Sequence, residues 1–146
     1  MANLCCIKFL VIGKKEDRDN FFNALDMGNE KLRIGKGLEE PYIVKENDEE
    51  NYTFICGSVN GSLFDNFFVG GHFSNDPEGL KIIQIEEASK YFNLQIEAFG
   101  SDWEPDTFEH YIFEKGIIQS SDNRYRNIDK IGKDLHKQCK LLKALK

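Results

Sequence analysis

A chain of 146 residues and 16.9 kDa is the size of one ordinary domain, long enough to bury roughly two-thirds of the surface its unfolded form exposes. Hydrophobic residues at 40%, aromatics at 12% and charged residues at 30%, with 12 Phe and 3 Pro, exclude a disordered, collagenous or membrane-embedded chain. The formal charge of −6 is uneven: residues 1–123 carry 11 basic and 23 acidic groups, residues 124–146 carry 8 and 2, which divides the chain into an acidic body (1–123) and a basic C-terminal segment (124–146).

Residues Cys5 to Ile12 are β-branched, aromatic and aliphatic and end at Gly13, the pattern of a strand. Apart from Lys8 both of its faces are apolar, so it is expected to be buried on two sides. Lys14 to Leu25 reads as a helix, with Glu16, Asp17 and Asp19 complementing the N-terminal dipole and Phe21, Phe22 and Leu25 forming the apolar stripe. Met27-Gly28-Asn29 ends it. Residues 31–51 contain Gly35, Gly37, Pro41 and an acidic run and are expected to be mostly loop around a short strand at Tyr42–Lys45. Tyr52 to Val59 is the second firm strand. Asn60-Gly61 signals a tight hairpin that returns as Ser62 to Phe73, with Gly70-Gly71 breaking the returning strand.

Ile82 to Phe92 places Ile82, Ile85, Ala88, Tyr91 and Phe92 at helical spacing. A strand then alternates Leu94/Ile96/Ala98 against Gln95/Glu97/Phe99, and Phe108–Phe113 and Ile117–Ser120 flank a Glu114-Lys115-Gly116 turn. Strands and two helices in this order predict an α+β fold, a two-layer ferredoxin-like sandwich with a mainly antiparallel sheet and both helices on one face. From Ile128 the apolar positions Ile131, Leu135, Cys139 and Leu142 recur every three or four residues beside Lys130, Lys133, Lys137, Lys140 and Lys143, which predicts a basic amphipathic helix capped by Asn127.

The opening Met1-Ala2-Asn3 with Cys5, the strand ending at Gly13, the helix carrying Phe21 and Leu25, and the stretch Ala98-Phe99-Gly100-Ser101-Asp102-Trp103-Glu104-Pro105 resemble the YubB ferredoxin-like family over residues 1–122. Leu4 and Asp106 stand where that family has Trp and a second Pro. The resemblance implies a small accessory protein of phages, plasmids and integrated mobile elements, and brings no catalytic residue or cofactor to carry over.

The densest polar cluster surrounds Trp103. Asp102, Glu104 and Asp106 are alternate carboxylates of the type that ligates Ca²⁺ or Mg²⁺, and Glu109 or His110 is a candidate general base. Thr107 and Phe113 occupy the sixth and twelfth positions from Asp102, where an EF-hand needs Gly and Glu. The simpler reading is a structural loop anchored by Trp103 with solvated acids, and no resident metal or cofactor. His72, near Ser74 and Asp76, is a further weak catalytic candidate. Gly35-Lys36-Gly37 is too short for a phosphate loop.

Phe64, Phe68, Tyr111 and Phe113 are the aromatics from which a base-stacking sheet would be built, but an acidic body repels a phosphate backbone. Nucleic acid is therefore a secondary expectation, through Arg124, Arg126 and the C-terminal lysines. The preferred role for Ile128, Ile131, Leu135 and Leu142 is to cover the sheet face the two helices leave open, in the same chain or in a second copy. Four cysteines without a Cys-x-x-Cys pair read as reduced thiols. The Leu4–Ile12 run fails as a secretory leader and is too short to span a bilayer. The sequence thus predicts a cytoplasmic, non-enzymatic module that binds a protein partner or itself, with no membrane role. The alternative is a small enzyme centred on residues 102–110.

Overall fold

A computed structural model describes residues 4–60, 67, 76–102 and 107–125. The elements are β1 (Leu4–Ile12), α1 (Lys15–Leu25), β2 (Leu32–Ile34), β3 (Glu39–Asn47), β4 (Tyr52–Asn60), β5 (Lys81–Ile83), α2 (Ile85–Tyr91), β6 (Gln95–Asp102), β7 (Thr107–Glu114) and β8 (Ile117–Tyr125). Six strands form one antiparallel sheet in the order β3-β4-β1-β6-β7-β8, and β2 and β5 form a small parallel pair. The fold is therefore α+β with a mainly antiparallel sheet, as the sequence pattern predicts.

β1 is central. It pairs with β4, placing Phe9 opposite Ile55, and with β6, placing Phe9 opposite Ala98. Alternation along these strands sends Ile7, Phe9, Val11, Ile55, Ile96 and Phe113 into one cluster with Phe21, Ala24 and Leu25 of α1 and Ile85 and Ala88 of α2. Both helices thus lie on that face. At its centre Phe9 meets the edges of Phe21 (5.7 Å, 82°) and Phe67 (5.4 Å, 83°), the geometry aromatic rings prefer. α1 begins after Lys14 with Glu16 and Asp17 in its first turn, and the buried positions Arg18, Phe21 and Leu25 make its inward stripe.

The short strand expected at Tyr42–Lys45 is the middle of β3, and much of the loop expected around it is strand as well, in β2 and at both ends of β3. Pro41 and the charges of residues 39–50 carry little strand propensity of their own, but β4 offers β3 a full edge. The register slips twice, between Glu39 and Tyr42 and between Ile43 and Lys45, which absorbs the irregular sequence as bulges. The expected pairing of Tyr52–Val59 with Ser62–Phe73 does not form, because β4 is already paired with β1 on one side and β3 on the other. Apart from Phe67, residues 61–75 lie outside the described residues. The helix expected over Ile82–Phe92 is shorter: Ile82 and Ile83 belong to β5, where Ile82 pairs with Arg33 and Ile83 with Ile34. β8 runs through Arg124 to Tyr125, two residues into the expected C-terminal segment, and the helix expected beyond Asn127 lies outside the described residues.

Two carboxylates of the acidic run, Glu46 and Asp48, reach a buried arginine. Arg18 is fully buried, and its guanidinium donates to the carbonyls of Gly13 (2.9 Å) and Tyr52 (3.1 Å), to Thr53 Oγ1 (2.8 Å) and to Asp48 (3.0 Å). Glu46 accepts from Arg18 (3.4 Å) and Lys15 (2.9 Å), and this hydrogen bond holds the Lys15 ammonium above its ordinary pKa. Asn47 Oδ1 accepts from the amides of Glu49 and Glu50, fixing the β3–β4 turn. A second buried arginine, Arg33, grips Asp76 through two bonds of 2.8 and 3.0 Å and so ties β2 to the segment that leads into β5. Among the described residues no helix is long and apolar enough to cross a membrane.

Candidate functional site

Successive residues of a strand point to opposite faces, and this separates the two acid/base candidates. Glu109 shares a face with Tyr111, whose hydroxyl donates to its Oε1 at 3.0 Å. His110 lies on the other face, with Nε2 2.6 Å from Glu97 Oε2. The two candidates therefore cannot act on one substrate atom. The register explains the second contact: Phe99 is directly opposite His110 in the β6–β7 ladder and Ile112 opposite Glu97, so Glu97 and His110 are diagonal neighbours. Phe99 stacks on the imidazole at 4.5 Å and 8°. Both polar partners are buried. The carboxylate fixes the ring, the aromatic closes one of its sides, and the pair is a fixed polar knot in the sheet rather than a base presented to solvent.

Asp102 is the last residue of β6, with its backbone paired to Cys5. Trp103, Glu104 and Asp106, which complete the expected cation loop, lie outside the described residues, as do His72, Ser74, Ile128, Ile131, Leu135 and Leu142. Asp76 is committed to Arg33. Among the described residues no group of three or more His, Cys, Asp and Glu is placed to hold a metal ion. Tyr111 and Phe113 belong to the core under the helices, so they offer no surface on which a base could stack; Phe64 and Phe68 lie outside the described residues.

The surface that sequence reasoning missed is the β3 edge and the groove beside it. β3 ends the sheet order, and Tyr42 and Val44 are 58% and 56% exposed, with Ile43 partly so. An open groove of about 780 Å³ lies at its start, lined by Cys6, Met27, Tyr42 and Cys56 together with the carboxylates Asp26, Glu39 and Glu40. Gly57 is necessary to its wall, since a Cβ there would lie 2.8 Å from Leu38 Cδ1. Burial pushes the Cys56 thiol up from its ordinary pKa, and the neighbouring Cys56 in turn raises the Tyr42 hydroxyl, which hydrogen-bonds to it. The available signal was the run Tyr42-Ile43-Val44, three strand formers in a row between acids.

Comparison of the chain with known protein families, curated proteins and solved structures finds no match.

Proposed function

We propose that the protein is a non-enzymatic protein-interaction module, an accessory product of a bacterial mobile element built on a ferredoxin-like core, and that it engages its partner through the β3 edge. The ferredoxin-like reading is supported by the path β1-α1-β3-β4-α2-β6 with spatial order β6-β1-β4-β3, the split βαβ arrangement; β7 and β8 extend it, and β2 and β5 are insertions. The mobile-element origin rests on the resemblance at residues 1–122, and a gene neighbourhood without phage, plasmid or conjugation genes would count against it.

The observation that carries the interaction reading is the exposed Tyr42-Ile43-Val44 run on a terminal strand. A sheet edge presents unpaired backbone groups to a strand of another chain. The two bulges restrict that pairing to a short stretch, so side chains must supply much of the specificity. Exposed Glu39, Glu40, Glu49 and Glu50 flank the run, and an acidic margin selects a partner segment carrying lysine or arginine. A photo-crosslinking amino acid in place of Tyr42, in cells of the native host, should yield one discrete protein adduct, and the same group in place of Asn20 on α1 should not. Ile43→Lys should remove that adduct without unfolding the protein. Equal labelling from both positions, or none from position 42, would remove the proposal.

A further inference from the structure

Two thiols meet beside the groove at the start of β3. Alternation puts Ile7, Phe9 and Ile55 under the helices and Cys6, Lys8 and Cys56 on the other face of the sheet. In the β1–β4 ladder Lys8 stands opposite Cys56 and Cys6 opposite Ser58, and Tyr42 of β3 stands opposite Cys56 on its other side. The Gly13 amide bonds the Asn51 carbonyl at 2.9 Å, so alternation along the ladder makes Lys8/Cys56 and Cys6/Ser58 non-hydrogen-bonded pairs, whose side chains approach most closely. Cys6 and Cys56 are thus diagonal neighbours on one face. Cys6 is exposed, Cys56 is buried, and neither is in a disulfide. Both line the groove with Tyr42, whose hydroxyl hydrogen-bonds to Cys56. Burial is the main cause that raises the Cys56 thiol, Lys8 opposes it and Cys6 adds to it, so both side chains lie within electrostatic reach of its sulfur.

We propose that Cys6 and Cys56 together bind one copper(I) ion as a two-coordinate bis-thiolate. Separation decides between an ion and a disulfide. Diagonal neighbours in an antiparallel pair lie about 7–8 Å apart, beyond what a disulfide bridges without backbone movement. Two metal–thiolate bonds of about 2.3 Å each hold the sulfurs about 4.6 Å apart, against about 2 Å in a disulfide, so an ion spans a gap that a direct bond does not. Ligand type and number then choose the ion. Thiolates select soft metals, and among the described residues no third His, Cys, Asp or Glu joins the pair, which leaves zinc short of the four ligands it takes. Copper(I) is soft, monovalent and satisfied by two. Each thiol gives its proton to solvent and a sulfur lone pair to the ion, so two protons leave and the complex carries one negative charge. Lys8, opposite Cys56, supplies the matching positive charge. The Tyr42 hydroxyl is placed to donate to the coordinating Cys56 sulfur, the kind of outer contact that orients a metal ligand. The site uses side chains of the groove and not the outer backbone edge of β3, so it stands apart from the partner reading above.

The test titrates the full, reduced chain without oxygen against copper(I) held by a coloured chelator such as bicinchoninate. The unmodified protein should withdraw one copper per chain, and so should Cys5→Ser/Cys139→Ser, which keeps both proposed ligands. Cys6→Ser changes an exposed position, so the chain should still fold, which circular dichroism checks. Its copper affinity should fall by more than the roughly hundredfold that loss of an outer contact costs at most. Tyr42→Phe should weaken binding about tenfold. Bound copper should also block iodoacetamide at Cys6, and the same amount of zinc should not. Four results would each overturn the proposal: no copper withdrawn by the unmodified protein, full affinity kept by Cys6→Ser, affinity lost in Cys5→Ser/Cys139→Ser, or one copper held between two chains.

Discussion

Phe99 and His110 stand directly opposite one another in the β6–β7 ladder with their rings 4.5 Å apart and 8° from parallel, and this stacking seats His110 Nε2 2.6 Å from Glu97 Oε2. A buried pair of this kind is stabilising relative to half a pair rather than relative to none. Removing one member leaves the other desolvated without this hydrogen bond, and a buried polar group left in that state costs about 1–3 kcal/mol. Glu97→Ala and His110→Ala should therefore each be strongly destabilising in urea unfolding, while Glu97→Leu/His110→Phe should cost much less than the sum of the single substitutions. Additive losses would show that the two side chains do not act together.

The same reasoning separates the two buried arginines from surface ion pairs. Arg33 is fully buried and held by both oxygens of Asp76. Asp76→Asn keeps the shape and removes the charge, so it should destabilise by about 3 kcal/mol or more. By contrast, Lys15→Met removes an exposed pair with Asp19 and Glu46 and should be nearly silent. A melting-temperature comparison of the two variants checks the contrast, and an equal response would contradict it.

Glycine positions give a sharper contrast, because two residues share a backbone conformation and differ in space. Gly37 (φ +78°) and Gly79 (φ +85°) both occupy the left-handed region that side chains disfavour. A Cβ at Gly37 would lie 2.7 Å from Met27 Cα and 2.9 Å from the Leu25 carbonyl oxygen, whereas nothing lies within 4 Å at Gly79. Gly79→Ala should cost about 1 kcal/mol from conformation alone. Gly37→Ala should cost several times that, since it also forces apart the end of α1 and the start of β3, where the amides of Leu38 and Met27 bond the carbonyls of Leu25 and Leu38.

How much of this could be read from the chain depends on how local the cause is. β1, α1 and the β7–β8 hairpin were legible because period-2 and helical patterns and a Glu-Lys-Gly turn lie within a few residues. The middle of β3 was legible too, as the short strand Tyr42–Lys45, but its start was not, since Glu39, Glu40 and Pro41 argue for loop and only the free edge of β4 makes them strand. Asn60-Gly61 misled for the converse reason: its turn propensity is local, and it says nothing about β4 already having a neighbour on each side. Three-residue strands such as β2 and β5 are too short to carry a period. The Glu97–His110 contact needed the register of two strands 13 residues apart in sequence, although Glu97 already stood on the polar side of its alternation.

Cys56 supplies a pH dependence with a definite sign. Burial raises its thiol pKa in the folded protein, so the native state holds this proton more tightly than the unfolded chain does. Its contribution to stability is then complete below the unfolded thiol pKa, about 8.5, and is lost as pH rises from there through the folded value, because the unfolded state releases the proton first. Stability of the unmodified protein should fall as pH rises above about 8.5, and Cys56→Ala should flatten that part of the curve while lowering stability at pH 7 by the smaller cost of a lost sulfur contact. Iodoacetamide labelling followed by peptide mapping offers a second reading: at pH 8 exposed Cys6 should alkylate well before Cys56. Labelling of Cys56 at the rate of the unfolded chain, or an alkaline limb unchanged in Cys56→Ala, would remove this thiol as the cause.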